Sequence, residues 1–238
     1  MDNVMTLAIG LISHETRRVE IAGENVANVA TPGYKREIAF QDALVAGTAV
    51  GTRPGARADN AVAVATDFNA GKLVHTANPL DLSITGPGFF EVATTDGAAY
   101  TRLGKLQRDA DGRLVTSQGW PLQGSNGDVR VSADNWHIER DGTVIDNGNS
   151  VATVRVVNFD DVTKLRRVEG GLFVADGAQG TEVDRVQITQ GFIESSNVAL
   201  GNDMMQMMEA MRRVESGQKL VHAYDDMMGS VMQRLGEM

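Results

Sequence analysis

The sequence predicts an α+β fold: long N- and C-terminal helices pairing as a coiled coil, with an inserted antiparallel β-rich domain, a meander or partly closed barrel. Three observations predict it. An apolar stripe with alternating steps of three and four residues runs near each end of the chain. No such stripe occurs in the middle. There, Asp-Gly and Asn-Gly pairs recur between short runs of Val, Leu, Ile, Tyr or Phe, the pattern of hairpins.

The first stripe runs Met5, Ala8, Ile12, Glu15, Val19, Ala22, Val26, Val29. It predicts a helix over 3–29, about 40 Å long at a rise of ~1.5 Å per residue. Thr31-Pro32-Gly33 writes its end, because Pro32 lacks an N–H and disfavours helix at the residue before it. Residues 34–73 read as an extended arm, either a long hairpin or a plain linker. Over 74–194 the chain is β-rich. Leu80, Leu82 and Ile84 alternate with Asp81 and Ser83 as in a half-buried strand, and 151–159 is the clearest alternating run. Asn202 is placed to cap a second helix from Asp203 to about Leu235. Its stripe is Leu200, Met204, Met207, Met211, Val214, Gln218, Val221, Asp225, Met228, Met232, Leu235, with Gly217 and Gly229 as weak points. The domains expected are 1–33 with 195–238 as paired helices, 34–73 as an arm and 74–194 as the β-rich part.

Composition narrows the function. The net charge of −9 argues against a nucleic-acid binder, which needs a basic face. With no cysteine, disulfides, thiolate catalysis and Cys-type zinc sites are excluded. No apolar run is long enough to cross a membrane as a helix. Residues 1–20 lack a basic start followed by an unbroken apolar segment, so any export is expected to use a route without a cleavable signal peptide. His14, His75, His137 and His222 lack the spacing of a helical metal pair. Asp109-Ala110-Asp111-Gly112 looks like the start of a calcium loop but reads better as a hairpin turn. No nucleophile elbow or phosphate loop is present. Catalytic, cofactor and metal sites are therefore expected to be absent.

The methionines of the second helix exceed one stripe, with Met205 and Met208 beside it. Methionine repacks against unlike surroundings, so the helix reads as an adaptable interface. Glu15, Gln218 and Asp225 interrupt the stripes, either to set register or because those positions face water.

Three ordered blocks carry a family resemblance. Asn25-Val26-Ala27-Asn28-Val29-Ala30-Thr31-Pro32-Gly33-Tyr34-Lys35-Arg36 resembles the N-terminal signature of the bacterial flagellar rod and hook axial proteins, with Glu24 where the family usually has asparagine. Asn78-Pro79-Leu80-Asp81-Leu82-Ser83-Ile84 and Gly86-Pro87-Gly88-Phe89-Phe90 are similar to the family's central domain. Gly191-Phe192-Ile193-Glu194-Ser195-Ser196-Asn197-Val198 is similar to the block before its terminal helix. Length and the opening Met1-Asp2 look most like a proximal-rod member, and a distal-rod member is the alternative.

The resemblance implies a structural subunit of the flagellar basal body rather than an enzyme. Its terminal helices would form an inner tube around the export channel, and its β domain would lie outside. Its partners would be other rod subunits and, during export, the flagellar type III apparatus, with no nucleic acid and no lipid anchor. The assembly interface implied is Met5, Ala8, Ile12, Val19, Ala22, Asn25, Val26, Asn28, Val29, Thr31, Pro32, Gly33, Tyr34, Lys35, Asn197, Val198, Leu200, Met204, Met207, Met211, Val214, Val221, Met228, Met232 and Leu235. A periplasmic β-domain enzyme dimerised by its helices is the competing reading.

Overall fold

The structure, a computed structural model, describes residues 2–40, 63–132, 135–183 and 185–236. Helix α1 spans Asp2–Ala27 and helix α2 spans Leu200–Gly236. The chain divides into two units: residues 1–27, 37–66 and 199–238 form the first, and 28–36 and 67–198 the second.

In the first unit, α1 packs on α2, and Glu37–Phe40 pairs antiparallel with Ala63–Thr66. That ribbon is the base of the 34–73 arm. Its centre, residues 41–62, lies outside the described residues. The expected coiled coil is not what these helices make. A coiled coil interlocks rows of large apolar side chains. Here the most buried positions are small or polar: Ala8, Glu15, Ala22 and Asn25 on α1, with Asp203, Ala210 and Gly217 on α2. Ile21 is the one large apolar side chain among the described residues of these helices that is fully buried. Of the stripe expected on α2, Met207, Val214, Val221 and Met228 are half-buried. Leu200, Met204, Met211, Gln218, Asp225 and Met232 are exposed, and the side chain of Leu235 lies outside the described residues. The physical reason is close approach. Gly217 takes the side chain of Ile12 so tightly that an added Cβ would sit 2.7 Å from its Cγ1. Burial follows the small residues, and the methionine-rich flank turns outward. Helix α2 also begins at Leu200, where Ala199 O accepts from the N–H groups of Asn202 and Asp203, so Asn202 is inside the helix and not its cap.

The second unit is antiparallel. Its largest sheet has the order Leu165–Val168, Leu172–Ala175, Gly97–Thr101, Phe89–Thr94, Val156–Phe159, Gly180–Glu182. The two outer strands do not pair with each other, and the other described sheets have two or three strands. The unit is thus a set of open sheets, correcting the expected meander or partly closed barrel. The glycines of all six turn dipeptides, at 97, 112, 127, 142, 148 and 177, have φ between +75 and +123°. L side chains rarely tolerate that region, which is why these pairs punctuate the chain.

Two strand readings change. The 151–159 run is split: Asn149–Thr153 belongs to a three-stranded sheet and Val156–Phe159 to the six-stranded one. Alternation holds from Val151 to Val156 and breaks where Val157 is buried beside it. Leu82–Ile84 is covered on both faces, since Asp81 and Ser83 are buried as well. Asn78 Nδ2 donates to Asp81, and Ser83 Oγ donates to Thr189 O, so both polar groups are satisfied there. The main core gathers Leu82, Phe90, Leu114, Leu122, Val129 and Val144 among others, and a second cluster stacks Phe89, Phe159 and Phe173.

The two glycines that weaken α2 on paper differ in space. An added Cβ at Gly229 meets nothing within 4 Å. Gly229→Ala is expected to stabilise the helix by about 0.5–1 kcal/mol, the propensity difference alone. Gly217→Ala gains the same propensity but must displace Ile12, and the net result expected is a loss of about 1 kcal/mol. Thermal unfolding followed by far-UV circular dichroism distinguishes the two signs.

Candidate assembly site

The Thr-Pro-Gly turn and the Ser-Asn-Val block, far apart in sequence, meet in the second unit. After α1 the chain turns: Thr31 N–H donates to Asn28 O, and Thr31 Oγ1 to Asn28 Oδ1, both at 3.1 Å. Gly33 then takes φ +66°, and an added Cβ would lie 2.5 Å from the backbone of Arg102. Its N–H donates to Glu194 O at 2.7 Å. The turn therefore needs glycine both for its dihedral and for its contact.

Glu194 is the centre of this site. Its side chain is 2% exposed, and that of Lys35 is 1% exposed. Lys35 Nζ lies 2.6 Å from Glu194 Oε1 and also donates to Asn69 O at 2.8 Å. Gly71 N–H donates to the same Oε1 at 2.8 Å. Arg102 Nη1 lies 3.2 Å from Oε2, while its Nη2 donates to Gly86 O at 2.6 Å. Gly71 lies so close to Ser195 that an added Cβ would fall 1.8 Å from Ser195 O. Asn197 closes the other side: Oδ1 accepts from Arg36 N–H at 2.6 Å, and Nδ2 donates to Asp67 O and Asn69 O. Arg167 donates to Lys35 O and stacks its guanidinium 4.6 Å from the Tyr34 ring and 5.2 Å from the Phe173 ring. Three strands of chain, 33–36, 67–72 and 194–197, are thus clasped around one carboxylate.

Burial pushes the Lys35 ammonium below its ordinary pKa, and the hydrogen bond and charge of Glu194 oppose that shift. Burial likewise lowers Arg102 against the pull of Glu194. The geometry is that of a structural clasp. Asp109, at the calcium-like run, accepts from the N–H groups of Asp111 and Arg113 and pairs with Arg113 Nε at 2.7 Å, so it is a turn. Among the described residues no acidic or histidine group is arranged to hold a metal ion.

The first unit has its own polar lock. Asn25 Nδ2 donates to Glu37 O and Asn25 Oδ1 accepts from Glu37 N–H, both at 2.8 Å, as if the side chain were another strand. Asn25 Nδ2 also lies 3.5 Å from Asp203 on α2. Glu15, an unexplained polar position in the stripe, is 1% exposed and faces Arg18 at 3.1 Å and Arg213 of α2 at 3.4 Å. Gln218 and Asp225 instead face water.

Several of the interface residues named from sequence are therefore occupied within the chain: Ala8, Ala22, Asn25, Gly33, Tyr34 and Lys35 are buried. Met5, Ile12, Val19, Val26, Asn28, Val29, Thr31, Pro32, Asn197 and Val198 are half-buried. Large apolar side chains outside that set are exposed as well: Leu7 at 76%, Ile9, Leu11, Met205, Met208, Leu220, Met227 and Val231. Sequence reasoning missed Glu194, Arg102, Gly71, Arg167 and Asp203. The available signal was charge: Lys35 and Glu194 sit in two of the three blocks that resemble one family.

Removing one partner of a buried ion pair leaves the other uncompensated. Lys35→Met and Glu194→Gln are each expected to destabilise the second unit by about 3 kcal/mol, and the double variant by at least ~1 kcal/mol less than their sum. Urea unfolding of the four proteins measures the coupling. Simple additivity would show that this contact does not hold the clasp. A pH signature accompanies it. Between the depressed pKa and the ordinary 10.5, only the unfolded chain keeps the Lys35 proton, so this group's contribution rises with pH across that window. The stability margin of the wild-type chain over Lys35→Met should widen as pH is raised toward 10.5.

The chain matches known proteins over nearly its whole length. Residues 83–145 match the family described as flagellar hook protein FlgE/F/G D1 domain, and 189–234 the family described as flagellar basal body rod FlgEFG protein C-terminal. The chain is 31% identical to the flagellar basal-body rod protein FlgF of Escherichia coli K12, over 99% of both chains. It is 28% identical to FlgF of Caulobacter vibrioides, over 100% of this chain and 99% of that protein. It is also 28% identical to FlgG of Buchnera aphidicola from Schizaphis graminum, over 90% and 93% of the two. With both terminal helices and the β-rich middle inside these matches, the chain belongs to the flagellar basal-body rod protein family.

Proposed function

We propose that this chain is a structural subunit of the bacterial flagellar basal-body rod, of the proximal-rod FlgF kind. It assembles helically with other rod subunits, transmits torque and helps enclose the export channel. The observation that carries this reading is the end-to-end alignment with FlgF proteins. A distal-rod role of the FlgG kind is the second reading, favoured by FlgG relatives of similar identity whose matches cover somewhat less of this chain. In either reading the subunit acts by assembly and not by catalysis.

Its partners are other rod subunits, including the distal-rod protein. During export it is a client of the flagellar type III apparatus. Its place is the basal body across the periplasm. Contacts between subunits are made by the exposed apolar side chains of the helices, among them Leu200, Met204, Met211 and Met232 of the set read from sequence. Large apolar groups in water are costly on a lone chain and suit a surface that a neighbour covers. The buried members of that set, such as Asn25 and Lys35, hold the subunit in shape for those contacts.

The double variant Met204→Glu with Met211→Glu separates folding from assembly. Both sites are exposed, so unfolding stability is expected to stay within about 0.5 kcal/mol of wild type. Swimming of a complemented deletion strain and co-sedimentation with other rod subunits are expected to be lost. A variant that restores swimming to the wild-type level would sink the assignment of this face.

A further inference from the structure

The described chain carries two Asn-Gly pairs, Asn126–Gly127 and Asn147–Gly148, each at a hairpin turn, and they differ in how the amide is held. Asn126 is exposed at the tip between Gln123–Gly124 and Gly127–Asp128. The base of this loop is fixed: Ser125 N–H donates to Thr153 O at 2.8 Å, and Ser125 Oγ accepts from Thr153 N–H at 3.2 Å. The Asn126 side chain itself makes no hydrogen bond among the described residues. Gly127 has no Cβ to shield its nitrogen, and the space a Cβ would take is open to 4 Å. Asn147 is also exposed but restrained. Its Nδ2 donates to Ser132 Oγ at 3.3 Å and to Asp146 Oδ1 at 3.2 Å, and its backbone N–H donates to Asn135 O at 3.1 Å.

We propose that Asn126 is a site of spontaneous deamidation in the folded protein and that Asn147 is protected from it. The Gly127 nitrogen gives up its proton and attacks Asn126 Cγ. A C–N bond forms, the Cγ–Nδ2 bond breaks, and ammonia leaves with the proton, giving a five-membered imide. Water then adds to one of the two imide carbonyls and opens the ring to aspartate or isoaspartate. Water is the only co-reactant, and nothing is oxidised or reduced. The product adds a negative charge two residues from Asp128, which accepts from Gln123 Nε2 at 2.8 Å and lies 3.7 Å from Arg113. Isoaspartate also inserts a methylene into the backbone of a loop flanked by Leu122 and Val129, both fully buried. A deamidated molecule therefore carries this lesion at the edge of the main core.

The test is incubation of the folded protein at mildly alkaline pH, followed by proteolysis, peptide mass spectrometry and an isoaspartyl assay. Asn147 must release its hydrogen bonds to Ser132 and to the Asp146 carboxylate before its carboxamide can turn, so Asn126 is expected to convert at least about tenfold faster. The same incubation in urea should bring the two rates together, and Ser132→Ala should speed Asn147 without changing Asn126. Equal rates in the folded protein, faster loss at Asn147, or no conversion at Asn126 would overturn the proposal. A gap that persists unchanged in urea would overturn its structural cause.

Discussion

A carboxylate buried away from water is the constraint around which the second unit is arranged. Taking such a charge out of solvent costs several kcal/mol unless cations and hydrogen-bond donors surround it. Glu194 meets that requirement with Lys35, Arg102 and the Gly71 N–H. Each partner then imposes a condition of its own. Gly71 must lie against Ser195, where there is no room for a side chain. Lys35 must follow a left-handed turn at Gly33. Arg102 must reach Gly86 and Ile84 with its remaining donors. Residues that look like separate motifs in one dimension are thus consequences of one electrostatic demand.

The first unit answers a different constraint. Its helices approach through alanine, glycine and hydrogen-bonded polar groups, so little large apolar surface is consumed between them. Asn25 substitutes for a backbone partner of Glu37, and Glu15 is neutralised by arginines from both helices. The large side chains left over form the outward flank of α1 and α2. A polar, specific contact inside and an apolar flank outside is the distribution expected of a subunit that completes its burial by association. The methionines suit that flank because they adapt to neighbours of different shape.

Much of this was legible in the chain itself. The periodic stripes located both helices, the Pro-Gly pair marked the end of the first, and the Asp-Gly and Asn-Gly pairs marked turns whose glycines all lie at positive φ. These are local properties, set by dihedral sterics and side-chain spacing within a few residues. The three sequence blocks also pointed to the family that the full-length matches establish.

Tertiary structure decided which side of each element is inside. On α2 a methionine flank and an alanine–glycine line run side by side with the same period, and hydrophobicity alone favours the methionines. Contact with Ile12 at Gly217 favours the small residues, because helix packing rewards the closest approach of backbones. Leu82–Ile84 looked half-exposed because nothing in its own residues announces a second covering layer. Glu194 was one acid among 31 Asp and Glu residues until the fold set it 2.6 Å from Lys35, a partner 159 positions away. Pairing across such a distance is written in neither segment by itself, since a charge acquires its partner only when burial forbids it water.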